Sequence, residues 1–408
     1  IHIMKKRLPR ANIAYFIEAA LDMRDVDRLG IKYMLDLGIK VDVVIVTAVS
    51  KPHVPRLPSI TLNHSMFSMV EISSKADLES IQRTLSKVDL IISFVGTSHK
   101  TPENLPILRF ISRLNRPTVI QLSNIYPGWN RYRGDSGKKW DRFMDIMGRR
   151  SSINLMNSLF ARIPNYLAGV RPADFVIVGG TACEQGVVSQ HLITKSTRVI
   201  YAHAMDYDIY LSNLGSLSKG GNLAVFIDEY LPYHIDTTEL GQPMAPEPYF
   251  ERLRRLFDRI EDTFKCQIVI AACPRAEYED KPGIFGAREI AYNSTAKLIA
   301  QSQLVIAHRS TAINYAVLFR KPILLTATRE AYHHSSQRPY FDGFAEALAK
   351  EIQFFDEPNE SDLSDLLTVN KTVYDRYIDS YIKQKVSPEK PYWQIVIDSV
   401  NKSGLARI

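Results

Sequence analysis

The stretch Gln267–Thr328 limits the fold more than any other part of the chain. Gln267–Ala272 is a short apolar run rich in β-branched residues, which reads as a buried strand, and it ends in Cys273-Pro274-Arg275. A second apolar run, Leu304–Ala307, ends in His308-Arg309-Ser310-Thr311. A helix follows directly, with apolar positions at Ile313, Ala316, Val317 and Phe319, and a third run, Pro322–Thr326, closes the unit. Strand, helix and strand with polar groups at the strand ends describe a parallel α/β sheet, and such sheets hold ligands outside the carboxyl ends of their strands. Ser310 and Thr311 fall where N-cap residues belong. A helix N-terminus there offers N–H groups and partial positive charge to a phosphate, with His308 and Arg309 as added donors. The alternative is that Ser310 only caps its helix and His308 is a satisfied core histidine.

The same alternation runs through the rest of the chain. Strands are expected at Ala11–Ile17, Val41–Thr47, Asp89–Val95, Pro117–Leu122, Asp174–Val178, Arg198–Ala202 and Asn222–Ile227. Helices are expected at Arg24–Leu37, Asp77–Leu85, Leu105–Leu114, Pro248–Phe264, Phe344–Phe354, Val373–Lys385 and Tyr392–Val400. Ser212–Lys219, small and polar and followed by Gly220-Gly221, is the candidate linker. The pattern therefore divides into a first half at 1–216, a second half at 217–385 and a C-terminal helix at 386–408 packing back across the domains; one half can hold a donor and the other an acceptor. Two tandem doubly wound halves facing a central cleft suit the joining of two substrates.

Tyr126–Arg150 interrupts this texture by mixing Lys and Arg with Trp129, Tyr132, Trp140 and Phe143. With the amphipathic segment that follows, 126–167 reads as a surface for an anionic membrane or a lipid-linked substrate. The alternatives are an ordinary basic loop before a packed helix, or a single-strand RNA surface. A net charge of +7 also favours an anionic partner, while no RNA-binding motif is present and no nucleic acid is expected. No apolar run approaches the roughly 20 residues of a membrane span, and no signal peptide is visible. Three cysteines without metal-ligand spacing make a reducing cytoplasm the expected compartment, with peripheral placement at the inner membrane face as a variant.

Several chemistries lack their signatures. No Gly-x-Gly-x-x-Gly follows an early strand, and there is neither a Walker-type Gly-Lys-Ser/Thr loop nor a Gly-x-Ser-x-Gly elbow. Asp206-x-Asp208 is the nearest approach to a metal-binding Asp-x-Asp, so a metal-independent reaction is expected.

Cys273-Pro274-Arg275, followed by His308-Arg309-Ser310-Thr311, resembles the paired His-Pro and Ser/Thr motifs of bacterial sialyltransferases and Kdo transferases, which are GT-B enzymes using CMP-activated sugars. Asp228-Glu229-Tyr230-Leu231-Pro232-Tyr233-His234-Ile235-Asp236, the segment 202–210 and Arg24–Gly30 are similar to parts of the retaining β-Kdo transferases of WbbB type. The resemblance implies a GT-B fold, CMP-β-Kdo as donor, no cofactor, and a glycan or lipid-linked acceptor in bacterial surface polysaccharide synthesis. It implies donor contacts from Cys273, Pro274, Arg275, His308, Arg309, Ser310 and Thr311. Retention implies a carboxylate nucleophile, for which Asp236 and Asp228 both fit, Asp236 the better. Glu184, Asp206 and Asp208 stand at strand ends as general-base or acceptor-hydroxyl candidates, and His203 is similarly placed. One departure stands out: Cys273 occupies the position where the family has histidine, and a neutral thiol offers phosphate no charge-assisted hydrogen bond. An inverting sialyltransferase or other CMP-nonulosonate transferase, and a non-catalytic nucleotide- or RNA-binding protein, are the competing expectations.

Overall fold

The computed structural model describes residues 11–54, 56, 58–97, 99–129, 151–184, 191–217, 221–233, 244–333, 337–357 and 368–408, without the side chains of 151–155 and 158. The chain forms two compact units. The first comprises Ile1–Asn124, Ser136–Met205 and Gln384–Ile408, and the second Ile125–Asp135 and Asp206–Lys383.

The first unit is built on strands β1 (Asn12–Ile17), β2 (Lys40–Ile45), β3 (Phe67–Glu71), β4 (Leu90–Ser93), β5 (Thr118–Gln121), β6 (Phe175–Val178) and β7 (Arg198–Tyr201). They lie in the order β3-β2-β1-β4-β5-β6-β7, every neighbour parallel. The second unit repeats the scheme with β8 (Leu223–Ile227), β9 (Gln267–Ala271), β10 (Ile290–Ala291), β11 (Leu304–Ala307), β12 (Ile323–Ala327) and β13 (Ile352–Phe354), in the order β10-β9-β8-β11-β12-β13. All of these pairs are parallel as well. Central strands such as β4, β6 and β11 are buried along their whole length. This is why they appear as unbroken apolar runs: a parallel strand covered on both faces has no solvent side to mark.

The differences from expectation have local causes. β3, β10 and β13 escaped the apolar-run reading because they are edge strands without a buried residue, one of them only two residues long, whereas the edge strand β7 keeps a buried Ile200. The region 344–354 is not one helix. Arg338–Leu348 is helical, Ala349 turns left-handed at φ 49°, and Ile352–Phe354 becomes β13. Lys371–Tyr377 is α-helical and continues as a π-helical turn over Ile378–Ile382.

Arg24–Leu37 is two short helices, Met23–Arg28 and Ile31–Asp36, broken at Gly30. Gly30 has φ +67°, and a β-carbon there would stand 2.2 Å from Trp393 Cδ1. Trp393 belongs to the helix Tyr392–Ser403, whose Tyr392, Trp393, Ile395, Val396, Ile397 and Val400 complete the core of the first unit around Tyr15 and Val41. The indole nitrogen of Trp393 donates to the Arg28 carbonyl at 3.0 Å. The C-terminal helix is therefore part of the first unit's core and shapes the break in its first helix.

Candidate functional sites at the two sheet switch points

In each sheet the chain winds outward from its first strand on one side and then returns to build the other side. The reversal falls between β1 and β4 in the first unit and between β8 and β11 in the second. Crevices at such points, outside the carboxyl strand ends, are where open α/β sheets hold ligands.

In the second unit, Asp228 follows β8 directly and is 5% exposed. Its carboxylate accepts from the Tyr230 amide at 2.9 Å, the Cys273 amide at 3.2 Å and the Tyr278 hydroxyl at 2.9 Å. Burial pushes the Asp228 carboxyl up to about 6, against the opposing pull of those hydrogen bonds. Tyr230 itself sits at φ +55°, a conformation uncommon outside glycine. Glu229 ties the other side: its Oε1 accepts from the Arg309 amide at 2.7 Å, and Oε2 lies 3.9 Å from the Arg309 guanidinium. These two adjacent acids thus link the end of β8 to the ends of β9 and β11.

His308 lies at the end of β11 with its ring inside the core. Nδ1 stands 2.8 Å from the Thr326 carbonyl and Nε2 2.8 Å from the Tyr249 hydroxyl. A carbonyl can only accept, so the proton sits on Nδ1 and Nε2 accepts from Tyr249. Burial lowers the ring's pKa and favours this neutral form. Both ring nitrogens are committed, and the histidine orients the strand end rather than presenting a donor. Arg309 does face this end; its Nε is buried without a partner, and its guanidinium lies 6.0 Å from the Phe341 ring centre. Ser310 is half-buried and Thr311 exposed. The helix after them is Ile313–Leu318, and its N-cap is Ala312. Ser310 serves the turn before it, with Oγ accepting from the Ala312 amide at 3.2 Å. The hydroxyls therefore stand one and two residues before the N-cap position that their spacing implied.

Cys273 uses its amide, through Asp228, while burial raises its thiol pKa. Pro274 and Arg275 are exposed beside it. The structure thus brings together Asp228, Cys273, Arg309 and the hydroxyl-bearing 310–311 turn around one strand-end region, with Glu229 as an added member. Asp236 and His234 lie outside the described residues.

The switch point of the first unit is an open cleft of about 650 Å³. Glu18 follows β1 there as Asp228 follows β8. Asp25 and Leu29 line one wall, Lys51 and His53 another, and Gly96, His99 and Asn104 a third. Lys51 Nζ lies 3.5 Å from Glu18 Oε2. None of these lining groups was singled out from sequence apart from the general segments containing them. The available signal was positional: Glu18 and Gly96-Thr97 immediately follow the apolar runs that flank the reversal.

The remaining candidates are dispersed. Glu184 is exposed in the first unit. His203 is fully buried there, its ring nitrogens each 3.0 Å from the carbonyls of Ala204 and Lys390. Asp206 and Asp208 fall in the second unit, on the helix Asp206–Ser212. Asp206 is buried, accepting from Asn314 Nδ2 at 3.3 Å and the Tyr315 hydroxyl at 3.2 Å. Most of the basic–aromatic segment, 130–150, lies outside the described residues. Among the described residues, no group of three or more His, Cys, Asp or Glu is placed to hold a metal ion, and no helix is long and apolar enough to cross a membrane.

The chain matches no protein-family model and no curated protein. It is similar to solved structures of the wall teichoic acid polymerase TagF. A histidine-to-alanine variant of TagF aligns with a TM-score of 0.53 at 11% identity, covering 97% of this chain and 90% of that one. TagF itself aligns at 0.51 and 10% identity, covering 97% and 89%. A histidine-to-asparagine variant soaked with CDPG aligns at 0.51 and 10% identity, covering 96% and 88%. At this identity the likeness is one of fold. The class defined by these two repeated sheets is the GT-B fold, two Rossmann-like domains in tandem.

Proposed function

We propose that the chain is a glycosyltransferase that moves Kdo from CMP-β-Kdo to a glycan acceptor in bacterial surface polysaccharide synthesis, with retention of configuration. The observation that carries this reading is the second unit's switch point, where Arg309, Ser310, Thr311 and the exposed Arg275 gather at the ends of β11 and β9. A leaving nucleotide needs its developing negative charge stabilised, and a guanidinium with hydroxyls beside it supplies that without a metal. The same fold in TagF, including the variant soaked with CDPG, supports a nucleotide-activated donor. The first unit's cleft, with carboxylates and imidazoles on its walls, suits the acceptor.

Retention follows from two displacements. A carboxylate attacks the anomeric carbon and CMP leaves with the electron pair of the broken C–O bond. An acceptor hydroxyl then displaces the carboxylate, losing its proton to a base. Asp236 is the proposed nucleophile, because the Asp228 carboxylate is already committed to three donors. Exposed apolar side chains at Met156, Leu159, Tyr166 and Leu167, next to the basic–aromatic segment, support peripheral contact with an anionic membrane and a lipid-linked acceptor.

The test is thermal unfolding with CMP, UDP, GDP and ADP, since a ligand stabilises in proportion to the logarithm of its concentration over its dissociation constant. CMP is expected to give the largest shift; a preference for UDP or GDP sinks the donor assignment. Asp236→Asn is expected to lose transfer and keep CMP binding, and full activity in that variant removes the nucleophile. The anomeric configuration of the product, read by NMR, separates retention from an inverting CMP-nonulosonate transferase.

A further inference from the structure

The loop beside the first unit's cleft contains a buried cation that the transfer reading leaves unused. Lys100 lies between His99 and Thr101, which both line the cleft, yet it is 2% exposed. Its ammonium donates to Asn165 Oδ1 at 2.9 Å, and the Asn165 amide nitrogen donates to the His191 carbonyl at 2.6 Å. Asn165 is neutral and both ends of its amide are used. Both ring nitrogens of His191 are buried without a hydrogen-bond partner. Burial first, and then the charges of Lys100 and His99, hold the His191 ring down to about 4. Burial lowers the Lys100 pKa too, and no carboxylate among the described residues offsets it.

A buried ammonium without a counter-charge is costly, and so is a buried imidazole without a partner. Here the two lie together, joined through Asn165, with a third donor-bearing side chain on the cleft wall. A cluster rich in donors, with no acid offsetting it among the described residues, is complementary to an oxyanion. We propose that Lys100, His191 and His99 form an oxyanion site that takes the phosphate group of the ligand held in the neighbouring cleft. The anion supplies the counter-charge to Lys100 and the acceptor for the His191 ring, while His99 joins the site to the cleft. The ligand class is a glycosyl phosphate or phosphorylated glycan. Its assignment as acceptor rests on the transferase reading; the binding of the anion does not.

The test is thermal unfolding of the full chain at matched ionic strength with inorganic phosphate, a hexose 1-phosphate or the neutral hexose. The two phosphates are expected to raise the midpoint, the sugar phosphate at the lower concentration, and the neutral hexose to leave it unchanged. If inorganic phosphate alone acts, the site takes free phosphate and its link to the cleft ligand is overturned. Lys100→Met removes the charge and keeps the length of the side chain. Without anion it is expected to unfold at a higher temperature than the parent, and its phosphate dissociation constant is expected to rise about tenfold or more. Lys100→Arg is expected to retain binding. Stabilisation of the parent no greater than by chloride overturns the site, as does equal phosphate binding by Lys100→Met. Should Lys100→Met fail to fold, the His191 ring resonances of the parent decide: they must move on phosphate titration, and stationary resonances overturn the site. Phosphate binding without any CMP effect leaves the site standing and removes the transferase reading. A CMP effect without phosphate binding does the reverse.

Discussion

Glu18 and Asp228 occupy the same place in two sheets of the same strand order, each the first residue after the first strand of its unit. Glu18 lines an open cleft and pairs with the half-exposed Lys51 at 3.5 Å. Asp228 is buried and accepts from three donors on two neighbouring segments. The difference comes from what stands opposite. After β9 the chain presents the Cys273 amide and the Tyr278 hydroxyl, two donors that need an acceptor, and after β8 itself Tyr230 turns its amide back. Beyond β1, by contrast, the facing groups are the side chains of residues such as Lys51 and His53, which reach solvent as well as the cleft. A carboxylate at a switch point can thus serve ligand or scaffold, and the count of fixed donors around it decides which.

The largest expected effect is Asp228→Ala. Leaving three donors without their acceptor should cost about 4 kcal/mol in urea unfolding. A loss below about 1 kcal/mol would mean that the three hydrogen bonds carry little, and the contrast with Glu18 would collapse.

Next is the pH dependence of the same residue. Its folded pKa, about 6, lies above the ordinary value of 3.8. The folded state therefore holds the proton more tightly than the unfolded chain, so this contribution is fully present below about pH 4 and is lost as pH rises through about 6. Between those limits the parent should lose up to about 3 kcal/mol relative to Asp228→Asn, measured as the difference between their urea midpoints. A difference that is flat in pH would place the carboxyl in an ordinary environment.

Gly30→Ala bears on the open side of the comparison, because Leu29 lines the cleft and Gly30 seats Trp393 behind it. A left-handed alanine and a displaced indole together should cost about 3 kcal/mol and shift the tryptophan emission. An unchanged midpoint would show that the C-terminal helix yields without strain. Smallest is Lys51→Ala, which removes the partner of Glu18. That pair is half-exposed, so stability should change by less than about 1 kcal/mol. A larger loss would make Glu18 a scaffold group like Asp228.

The strand–helix alternation was legible because central parallel strands must be apolar throughout, as β4 and β11 are. The edge strands β3, β10 and β13 were not, since none holds a buried residue and the apolar run disappears, whereas the edge strand β7 keeps a buried Ile200 within its apolar run. The residues at the second unit's switch point could be named from sequence because each follows an apolar run. Their tasks could not. His308 is followed by an arginine and hydroxyls, a sequence that suits a phosphate-binding histidine, but Tyr249 and Thr326, 59 and 18 residues away, claim both its nitrogens. The first unit's cleft was missed for the opposite reason. Its walls come from segments well apart in the chain, from Ile17 to Asn157, and of these the resemblance touches only Arg24–Gly30.

Periodicity alone pointed to two parallel sheets and located the ends of their central strands, because burial on both faces is a local demand that each segment must meet by itself. Which polar group at those ends is spent on the fold and which is left facing a ligand was decided only in three dimensions. Hydrogen-bond satisfaction is a property of neighbours in space: Asp228 closes its switch point through Tyr230, Cys273 and Tyr278, whereas Glu18, in the same position of its own sheet, meets Lys51 across an open cleft.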